Sequence, residues 1–188
     1  MKPTLLITLL MVLCNQAQSE IIYVSQGSTG DGSSWASAMG DLNQALGMAK
    51  AGDQVWVSNG TYTPSSNDRS VAFNIGEGVQ LIGGFKGGES SLGERNVELN
   101  KCTLSGEIGQ PGIDDNSYTV VVFDNVSAKT MIDGFTLTAG NANGEMKEGG
   151  IESCGGAMYI NGSNGRTNPV IRNCSFTGNF GRDGAAVY

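Results

Sequence analysis

The sequence predicts an all-β fold, a right-handed parallel β-helix (a solenoid) with one short capping α-helix near its N-terminus. Three observations lead to this fold class. The 188 residues include 29 glycines but only 4 prolines, a composition typical of many tight turns between short strands. The chain contains internal repeats, and a single helical pattern is followed only by strand patterns. A single repeat cannot bury its apolar face alone, so the repeats are expected to stack around one shared core.

Short runs rich in β-branched and aromatic residues lie between turn residues, and these runs predict the strands. Because side chains alternate between the two faces of a strand, each run is expected to place one face toward the core. The predicted strands are Ile21–Val24, Gln54–Val57, Val79–Ile82, Thr119–Phe123, Met131–Thr138, Ala157–Ile160 and Val170–Phe176.

The single helical pattern covers residues 39–50. Met39, Leu42 and Leu46 recur at spacings of three or four, and Gly52 is the expected C-terminal stop. The end of a stack of strands exposes unpaired strand edges, which invite aggregation unless they are covered. We therefore expect this helix to cap the N-terminal end of the solenoid.

Two internal matches carry the repeat argument. Residues 155–159 match residues 184–188 at a spacing of 29, and residues 132–137 match residues 171–176 at a spacing of 39. The Gly- and Glu-rich stretch 141–153 has no apolar alternation and accounts for the difference as a loop inserted between two repeats.

Equivalent positions in aligned repeats are expected to lie next to each other in the stack. Ile171, either Asn173 or Cys174, and Phe176 are expected to contribute to the interior, with a bend near Asn173. Asp133 and Arg172 are expected to face outward, where they could lie near each other as a surface ion pair worth at most about 1 kcal/mol.

Residues 1–19 predict a signal peptide, and residues 20–188 are interpreted as the N-terminal part of one β-helix domain. Lys2 precedes the apolar run Leu5–Leu13, which is about half as long as the roughly 20 residues of a spanning helix. No transmembrane segment is expected elsewhere. Because the sequence stops at Tyr188 inside a repeat, we expect the native protein to continue beyond it.

The charge and composition exclude several classes of function. The net charge is −7 and the 11 basic residues are scattered, which argues against a nucleic-acid partner. The chain has no histidine, so nucleophilic triads, general bases and metal sites that depend on histidine are excluded.

Three cysteines remain after removal of the predicted signal peptide: Cys102, Cys154 and Cys174. Their odd number and the absence of a Cys-x-x-Cys spacing argue against a zinc site. Cys154 and Cys174 are candidates for a disulfide between neighbouring coils if their Cα atoms come within about 7 Å. Buried free thiols are an equally open alternative.

Several short motifs follow one another in a definite order along the chain: Ile22–Val24, Gly32–Trp35, Gly52–Val57, Gly60–Pro64 and Leu81–Phe85. This order resembles the opening of right-handed parallel β-helix repeat proteins exported by Bacteroidetes-like bacteria. Two later motifs, Phe176–Asn179 and Gly184–Ala186, are similar to the short repeats of chlamydial polymorphic outer-membrane proteins, although Ala185 stands where those repeats usually have a second glycine. Such proteins are secreted or exposed on the cell surface, including the outer membrane, and the resemblance implies this localisation.

The resemblance places the chain in the pectin-lyase-like superfamily, which also contains polysaccharide lyases. Lyases of this shape hold Ca²⁺ with acidic side chains on one outer face, and a Lys or Arg removes a proton from the substrate. Asp114 and Asp115, followed by Asn116, form the densest group of oxygen ligands and are the candidate metal residues. A solvated turn is the alternative interpretation of this group. No catalytic residue is assigned, and calcium is the only cofactor considered.

Three functional hypotheses remain. The leading one is a secreted or cell-surface β-helix protein that acts as a non-catalytic adhesin or carbohydrate-binding scaffold, with a polysaccharide or a host or cell-surface glycoprotein as partner. The alternatives are a Ca²⁺-dependent, pectate-type polysaccharide lyase and a rigid spacer for a C-terminal domain. Trp35 and Trp56 are expected to pack near the cap rather than to stack on sugar rings.

Overall fold

The structure is a computed structural model that describes residues 19–145, 149–165 and 167–188. The predicted signal peptide, apart from Ser19, lies outside these residues. The described chain forms short strands, one α-helix and two 3₁₀ turns at Trp35–Ser37 and Leu92–Glu94. The helix is α1 (Leu42–Met48), and the strands are β1 (Ile21–Val24), β2 (Gln54–Ser58), β3 (Gly60–Tyr62), β4 (Phe73–Asn74), β5 (Gln80–Phe85), β6 (Cys102–Ser105), β7 (Val121–Asp124), β8 (Met131–Asp133), β9 (Phe135–Thr138), β10 (Asn141–Ala142), β11 (Met158–Asn161), β12 (Val170–Arg172), β13 (Ser175–Thr177) and β14 (Phe180–Gly181).

Every pair of neighbouring strands in the described sheets is parallel. The first sheet has the order β1-β2-β5-β8-β12, the second β3-β6-β9-β13, the third β4-β7-β11, and a small fourth sheet pairs β10 with β14. From β2 onward the chain supplies a strand to the first, second and third sheets in turn and then returns to the first, and in the last two rounds the fourth-sheet strands β10 and β14 follow β9 and β13. The prediction of an all-β chain with parallel sheets and one helix is confirmed.

The core consists of columns of apolar side chains, one column for each of the three larger sheets. Strand alternation turns every second side chain inward, and the parallel register sets each one directly against its equivalent in the next strand. Most of these side chains are buried. The columns are Ile22-Val55-Leu81-Ile132-Ile171 in the first sheet, Tyr62-Leu104-Leu137-Phe176 in the second and Phe73-Val121-Met158 in the third.

The predicted internal repeats correspond to stacked strands. Ile132 pairs with Ile171 at the spacing read from the sequence, and the 29-residue repeat places Met158 beside Val187. The predicted strands Met131–Thr138 and Val170–Phe176 are each divided into two, however. Gly134 (φ +87°) and Asn173 (φ +47°) adopt left-handed backbone conformations there, so the chain turns from the first sheet to the second at both positions. The predicted bend near Asn173 is confirmed.

The helix is shorter than the predicted 39–50 segment. It begins after Asp41, whose carboxylate accepts a hydrogen bond from the Gln44 N–H, and it ends before Ala49, whose backbone is extended. Met39 instead forms a parallel bridge to Val24. Gly52, the predicted helix stop, lies in the turn before β2 with φ +101°. The predicted helix was too long because its apolar spacing included Met39, which forms a strand bridge, and extended as far as the turn at Gly52.

Loop 30–39 and helix α1 cover the N-terminal end of the stack. The loop bonds to the free edge of β1, because Tyr23 N–H donates to Gly32 O and Met39 N–H donates to Tyr23 O, both at 2.9 Å. The helix buries Leu42 and Leu46 and contacts β1 and β4. The loop thus pairs the exposed strand edge, and the helix covers the apolar side chains beneath it.

We predict that Leu104→Ala lowers the free energy of unfolding by about 3 kcal/mol, because truncation leaves a cavity in the middle of a core column. Leu104 has no exposed surface and pairs with Leu137 and Tyr62 on either side. Chemical denaturation measures the effect. Leu99→Ala is the matched control, because Leu99 is 81% exposed and should change stability by less than about 0.5 kcal/mol. Equal effects of the two substitutions would contradict the stacked core.

Candidate functional site

The outer face of the second sheet carries a column of hydroxyl groups, which we name the hydroxyl track: Thr61, Thr103, Thr136 and Ser175. They lie directly opposite one another on β3, β6, β9 and β13. Neighbouring strands lie about 4.8 Å apart, so the hydroxyls repeat at about that interval. All four residues are at least partly exposed. Across the described part of the chain, none of the four hydroxyls has a protein hydrogen-bond partner, so the whole track is free to bind a ligand.

A polar groove lies at each end of the hydroxyl track. The first groove contains Thr61 together with Gln26 and Asp41. The second groove contains Thr136 and Ser175. Its volume is about 230 Å³, which is below the roughly 300–1,000 Å³ of typical small-molecule pockets.

The wall of the second groove comes from the chain segment that precedes β6. Val97, Glu98 and Lys101 line the groove beside the track. Glu98 and Lys101 are exposed and have opposite charges. The groove therefore offers a carboxylate acceptor and an ammonium donor next to neutral hydroxyls, a set suited to hydrogen bonding with a polar, uncharged ligand.

Hydrogen bonds hold this wall segment against the sheets. The Glu89 carboxylate accepts bonds from the Lys86 and Gly87 N–H groups at 2.6 and 2.9 Å, and the Trp35 indole N–H donates to Glu89 O at 2.9 Å. Further along, the Asn96 N–H donates to Gly84 O at 2.8 Å. The segment is thus fixed at several points before it reaches the groove.

An ion pair between Arg95 and Asp133 joins the wall segment to the first sheet. Arg95 Nη2 lies 2.7 Å from Asp133 Oδ2, and the side chains of Arg95 and Asp133 are 18% and 7% exposed. The Asn173 amide donates to the other carboxylate oxygen at 2.7 Å, and Arg95 also donates to Gly83 O. Asp133 and Arg172 are partners in the register of β8 and β12, as the aligned repeats predict, but the Asp133 carboxylate forms its ion pair with Arg95 rather than with Arg172. Asp133 lies on the outer face but beneath the wall segment, where Arg95 reaches it, and Arg172 is exposed.

The outer face of the first sheet carries a second, aromatic cluster. Trp56 stacks on Phe85 at 4.5 Å between ring centroids, and Tyr23 packs edge-on against Trp35 and Trp56. Trp56 is only 3% exposed, and its indole N–H donates to Gln54 Oε1. Trp56 has no open ring face for a sugar, which confirms the packing interpretation for this residue. Trp35 contacts the same cluster while it remains partly exposed.

The cysteines are free thiols at separate places in the fold. Cys102 is buried, and its thiol contacts Val57 O and Ser58 O at 3.3 and 3.2 Å. Cys174 lies immediately before β13, whereas Cys154 forms an isolated β-bridge with Asp183. The candidate Cys154–Cys174 disulfide is not formed, and the structure corresponds to the alternative of free thiols.

Burial determines the acidity of two of these thiols. Desolvation raises the pKa of the Cys102 thiol to about 11. Desolvation also raises the pKa of Cys174. Both thiols are therefore held in the neutral form near pH 7, where a thiol is a weak nucleophile.

The candidate metal residues Asp114 and Asp115 lie in the turn before β7. Asp114 is exposed, and the Asp115 carboxylate accepts a hydrogen bond from the Gln110 N–H at 2.7 Å. Asn116 is buried, and among the described residues its side-chain oxygen has no hydrogen-bond partner. Within the described ranges no three His, Cys, Asp or Glu side chains are grouped as a metal site.

The fold and the polar track define the class of this molecule, an all-β protein of parallel sheets with a hydroxyl-lined outer face. The chain belongs to a family described as "protein of unknown function (DUF1565)", which matches residues 26–187. Comparison with curated proteins gives no match, and comparison with solved structures gives none either. In the described residues, no helix has the length and apolar character needed to span a bilayer.

We predict that Asp133→Ala lowers the free energy of unfolding by about 2 kcal/mol, because it leaves the Arg95 guanidinium and the Asn173 amide without their acceptor. Thermal or chemical denaturation measures the loss. Arg172→Ala is the control and should change stability by less than about 0.5 kcal/mol. A double-mutant cycle should show coupling between Asp133 and Arg95 but not between Asp133 and Arg172, and the reverse result would overturn the assignment.

We also predict that stability falls at alkaline pH as Cys102 ionises. Its pKa in the folded chain, about 11, lies above the value of about 8.5 expected in the unfolded chain. The stabilising contribution is therefore complete below about pH 8.5 and is lost as the pH rises toward 11. Denaturation curves between pH 7 and 11 measure this slope. Cys102→Ala should make the slope shallower, and an unchanged slope in the variant would contradict the burial of an un-ionised thiol.

Proposed function

We propose that the chain folds as a right-handed parallel β-helix and acts as a non-catalytic, secreted or cell-surface protein that binds carbohydrate. Support for the fold comes from the regular return of the chain to the first, second and third sheets with parallel pairing. Crossover connections between parallel strands of one sheet are right-handed in about 98% of cases, which favours that hand. The resemblance to exported β-helix repeat proteins supports the localisation.

The hydroxyl track is the observation that carries the functional part of the proposal. Thr61, Thr103, Thr136 and Ser175 present free hydroxyl groups along a line that connects two polar grooves. A hydroxyl both donates and accepts hydrogen bonds, as sugar hydroxyls do, so each can pair with a sugar in either sense. Glu98 adds an acceptor and Lys101 a donor at one end.

The proposed partner is a polysaccharide or the glycan of a surface glycoprotein. Rigid strands hold the track, and scaffold strands position binding groups more accurately than loops do. The ligand would bind along an outer face, because Thr61, Thr103, Thr136 and Ser175 all lie at least partly exposed on the outer face of the second sheet. Such a surface is suited to attachment rather than to chemistry within a closed site.

We predict that the full chain is retarded by at least one polysaccharide in affinity electrophoresis, and that Lys101→Gln weakens the binding about fivefold. The expected loss is that of a hydrogen bond from a charged donor at a solvent-exposed site. Lys129→Gln is the matched control, because Lys129 is exposed and lies outside both grooves. Absence of binding to a broad panel of polysaccharides and glycoproteins would overturn the proposal.

The same panel separates the proposal from the other two hypotheses. A rise in unsaturated-uronate absorbance with pectate or alginate, lost on chelation of Ca²⁺, would favour a lyase and contradict a non-catalytic role. Deletion of residues 20–188 from a longer natural protein, with no loss of glycan binding, would favour a rigid spacer.

A further inference from the structure

We propose that the chain is cleaved between Ser19 and Glu20, and that the new α-ammonium group of Glu20 then pairs with the buried carboxylate of Asp53. The modification site is the peptide bond between Ser19 and Glu20, and Asp53 is the group that receives the new N-terminus. The proposed event concerns the maturation of the chain, so it goes beyond carbohydrate binding and does not depend on it.

Cleavage of this bond is a hydrolysis that consumes one water molecule. The bond between the carbonyl carbon of Ser19 and the nitrogen of Glu20 breaks, and the water oxygen becomes part of the new carboxylate of Ser19. The Glu20 nitrogen takes up both protons of the water, because an α-amino group is largely protonated near pH 7. A donor that is a neutral amide in the precursor thus becomes a cation in the mature chain.

The residues before Glu20 fit cleavage by a peptidase that removes signal peptides. The apolar run Leu5–Leu13 is followed by a short polar stretch, and Ala17 and Ser19 are small residues at the third and first positions before the bond. Ser19 and Glu20 are both exposed, and Ser19 makes no hydrogen bond to another described residue. Loss of Ser19 therefore costs the described fold no hydrogen bond.

The structure already holds the Glu20 nitrogen against Asp53. The Glu20 N–H donates to Asp53 Oδ1 at 2.9 Å, and the Gln54 N–H donates to Glu20 O, also at 2.9 Å. Glu20 thus continues the parallel register in which Ile21 pairs with Gln54. The distance of 2.9 Å is within the range of about 2.7–2.9 Å for a bond between a cationic nitrogen and a carboxylate. The ion pair therefore needs no rearrangement of β1.

Asp53 carries a buried carboxylate with no cationic side chain beside it in the described ranges. The residue is 7% exposed, and its two carboxylate oxygens accept hydrogen bonds from the backbone N–H groups of Glu20 and Lys50. In the part of the chain that the structure describes, the one ion pair within 4.0 Å joins Arg95 and Asp133. Buried charges are ordinarily paired with an opposite charge. The α-ammonium group of Glu20 supplies that charge to Asp53.

The turn before β2 holds Asp53 in place independently of the N-terminus. Gly52 turns the chain with φ +101°, the Asp53 N–H donates to Lys50 O at 2.9 Å, and the Lys50 N–H donates to Asp53 Oδ2 at 2.8 Å. Because the carboxylate is fixed in advance, little freedom is lost when the α-ammonium group pairs with it. A cavity of about 570 Å³, lined in part by Glu20, Lys50 and Asp53, leaves room for water on the remaining ammonium protons.

The ion pair fastens the outermost strand of the first sheet. β1 pairs with β2 along one edge, and loop 30–39 bonds to its other edge. In the precursor the Glu20 nitrogen is a neutral amide, and a hydrogen bond from a neutral donor is weaker than one from a cation. Removal of the predicted signal peptide therefore stabilises the N-terminal end of the stack.

The exported protein locates the cleavage. The full chain, residues 1–188, is produced with its own leader in an exporting bacterial host, and the product outside the cytoplasm is purified. N-terminal sequencing and intact mass then identify the first residue, which we expect to be Glu20. A product that begins at another residue, or that retains residues 1–19, overturns the proposal.

Chemical denaturation of the mature chain tests the charge. The chain that begins at Glu20 is compared in two forms, with a free and with an acetylated α-amino group, because acetylation keeps an N–H donor but removes the charge. We expect acetylation to raise the equilibrium constant of unfolding about fivefold. A chain that begins at Ser19 provides a second comparison, since its Glu20 nitrogen is again an amide. Equal constants for the free and acetylated forms would contradict the ion pair.

The substitution Asp53→Asn identifies the partner, because asparagine keeps an oxygen acceptor without the charge. The effect of acetylation should disappear in this variant. Asp31→Asn is the matched control, because Asp31 is exposed and lines the same cavity, and the effect should remain. An effect that persists in Asp53→Asn, or that is lost in Asp31→Asn, overturns the assignment of Asp53. Each of these outcomes leaves the proposed carbohydrate binding as it stands.

Discussion

The fold depends on one constraint. A level, meaning one strand from each of the three larger sheets, cannot cover its own apolar side chains. Equivalent positions in the first sheet show the effect directly. Ile132 has neighbours on both sides and no exposed surface, whereas Ile171 occupies the same column on the last described level and is 37% exposed. Each level therefore gains most of its hydrophobic stabilisation from the level beside it. The N-terminal end is different, because loop 30–39 and helix α1 take the place of a neighbouring level there.

The same constraint fixes what the surface can present. Burial of one face sets the register of each strand, because a slip of one residue would turn the apolar side chains toward solvent. Once Leu104 lies between Tyr62 and Leu137, the side chains that alternate with them must also align on the outer face. The hydroxyl track is thus held in place by the core column beneath it. A functional surface built in this way needs only suitable residues at alternate positions.

The sequence predicts this fold well where the repeats are long, and less well where they are short. The pairing of Ile132 with Ile171 could be read directly because both segments keep the same pattern. Strands β4, β10 and β14 were not predicted, because each has two residues and no alternation can be detected over that length. Strands β3 and β6, with three and four residues, were not predicted either. The hydroxyl track was also missed. Threonines are common on the outer face of strands, and loops of different lengths between the strands hide their common register.

Contacts between distant loops are the part that no local pattern could predict. Asp133 was matched with Arg172 because they occupy equivalent positions, but its partner is Arg95, in a segment that crosses the outer face of the sheet. This contact connects the core to the candidate site. Arg95 precedes Glu98 and Lys101 in the same segment, so the ion pair that fixes Arg95 also limits where the groove wall can lie. The shape of the groove therefore depends on a carboxylate of the first sheet, although the track itself belongs to the second.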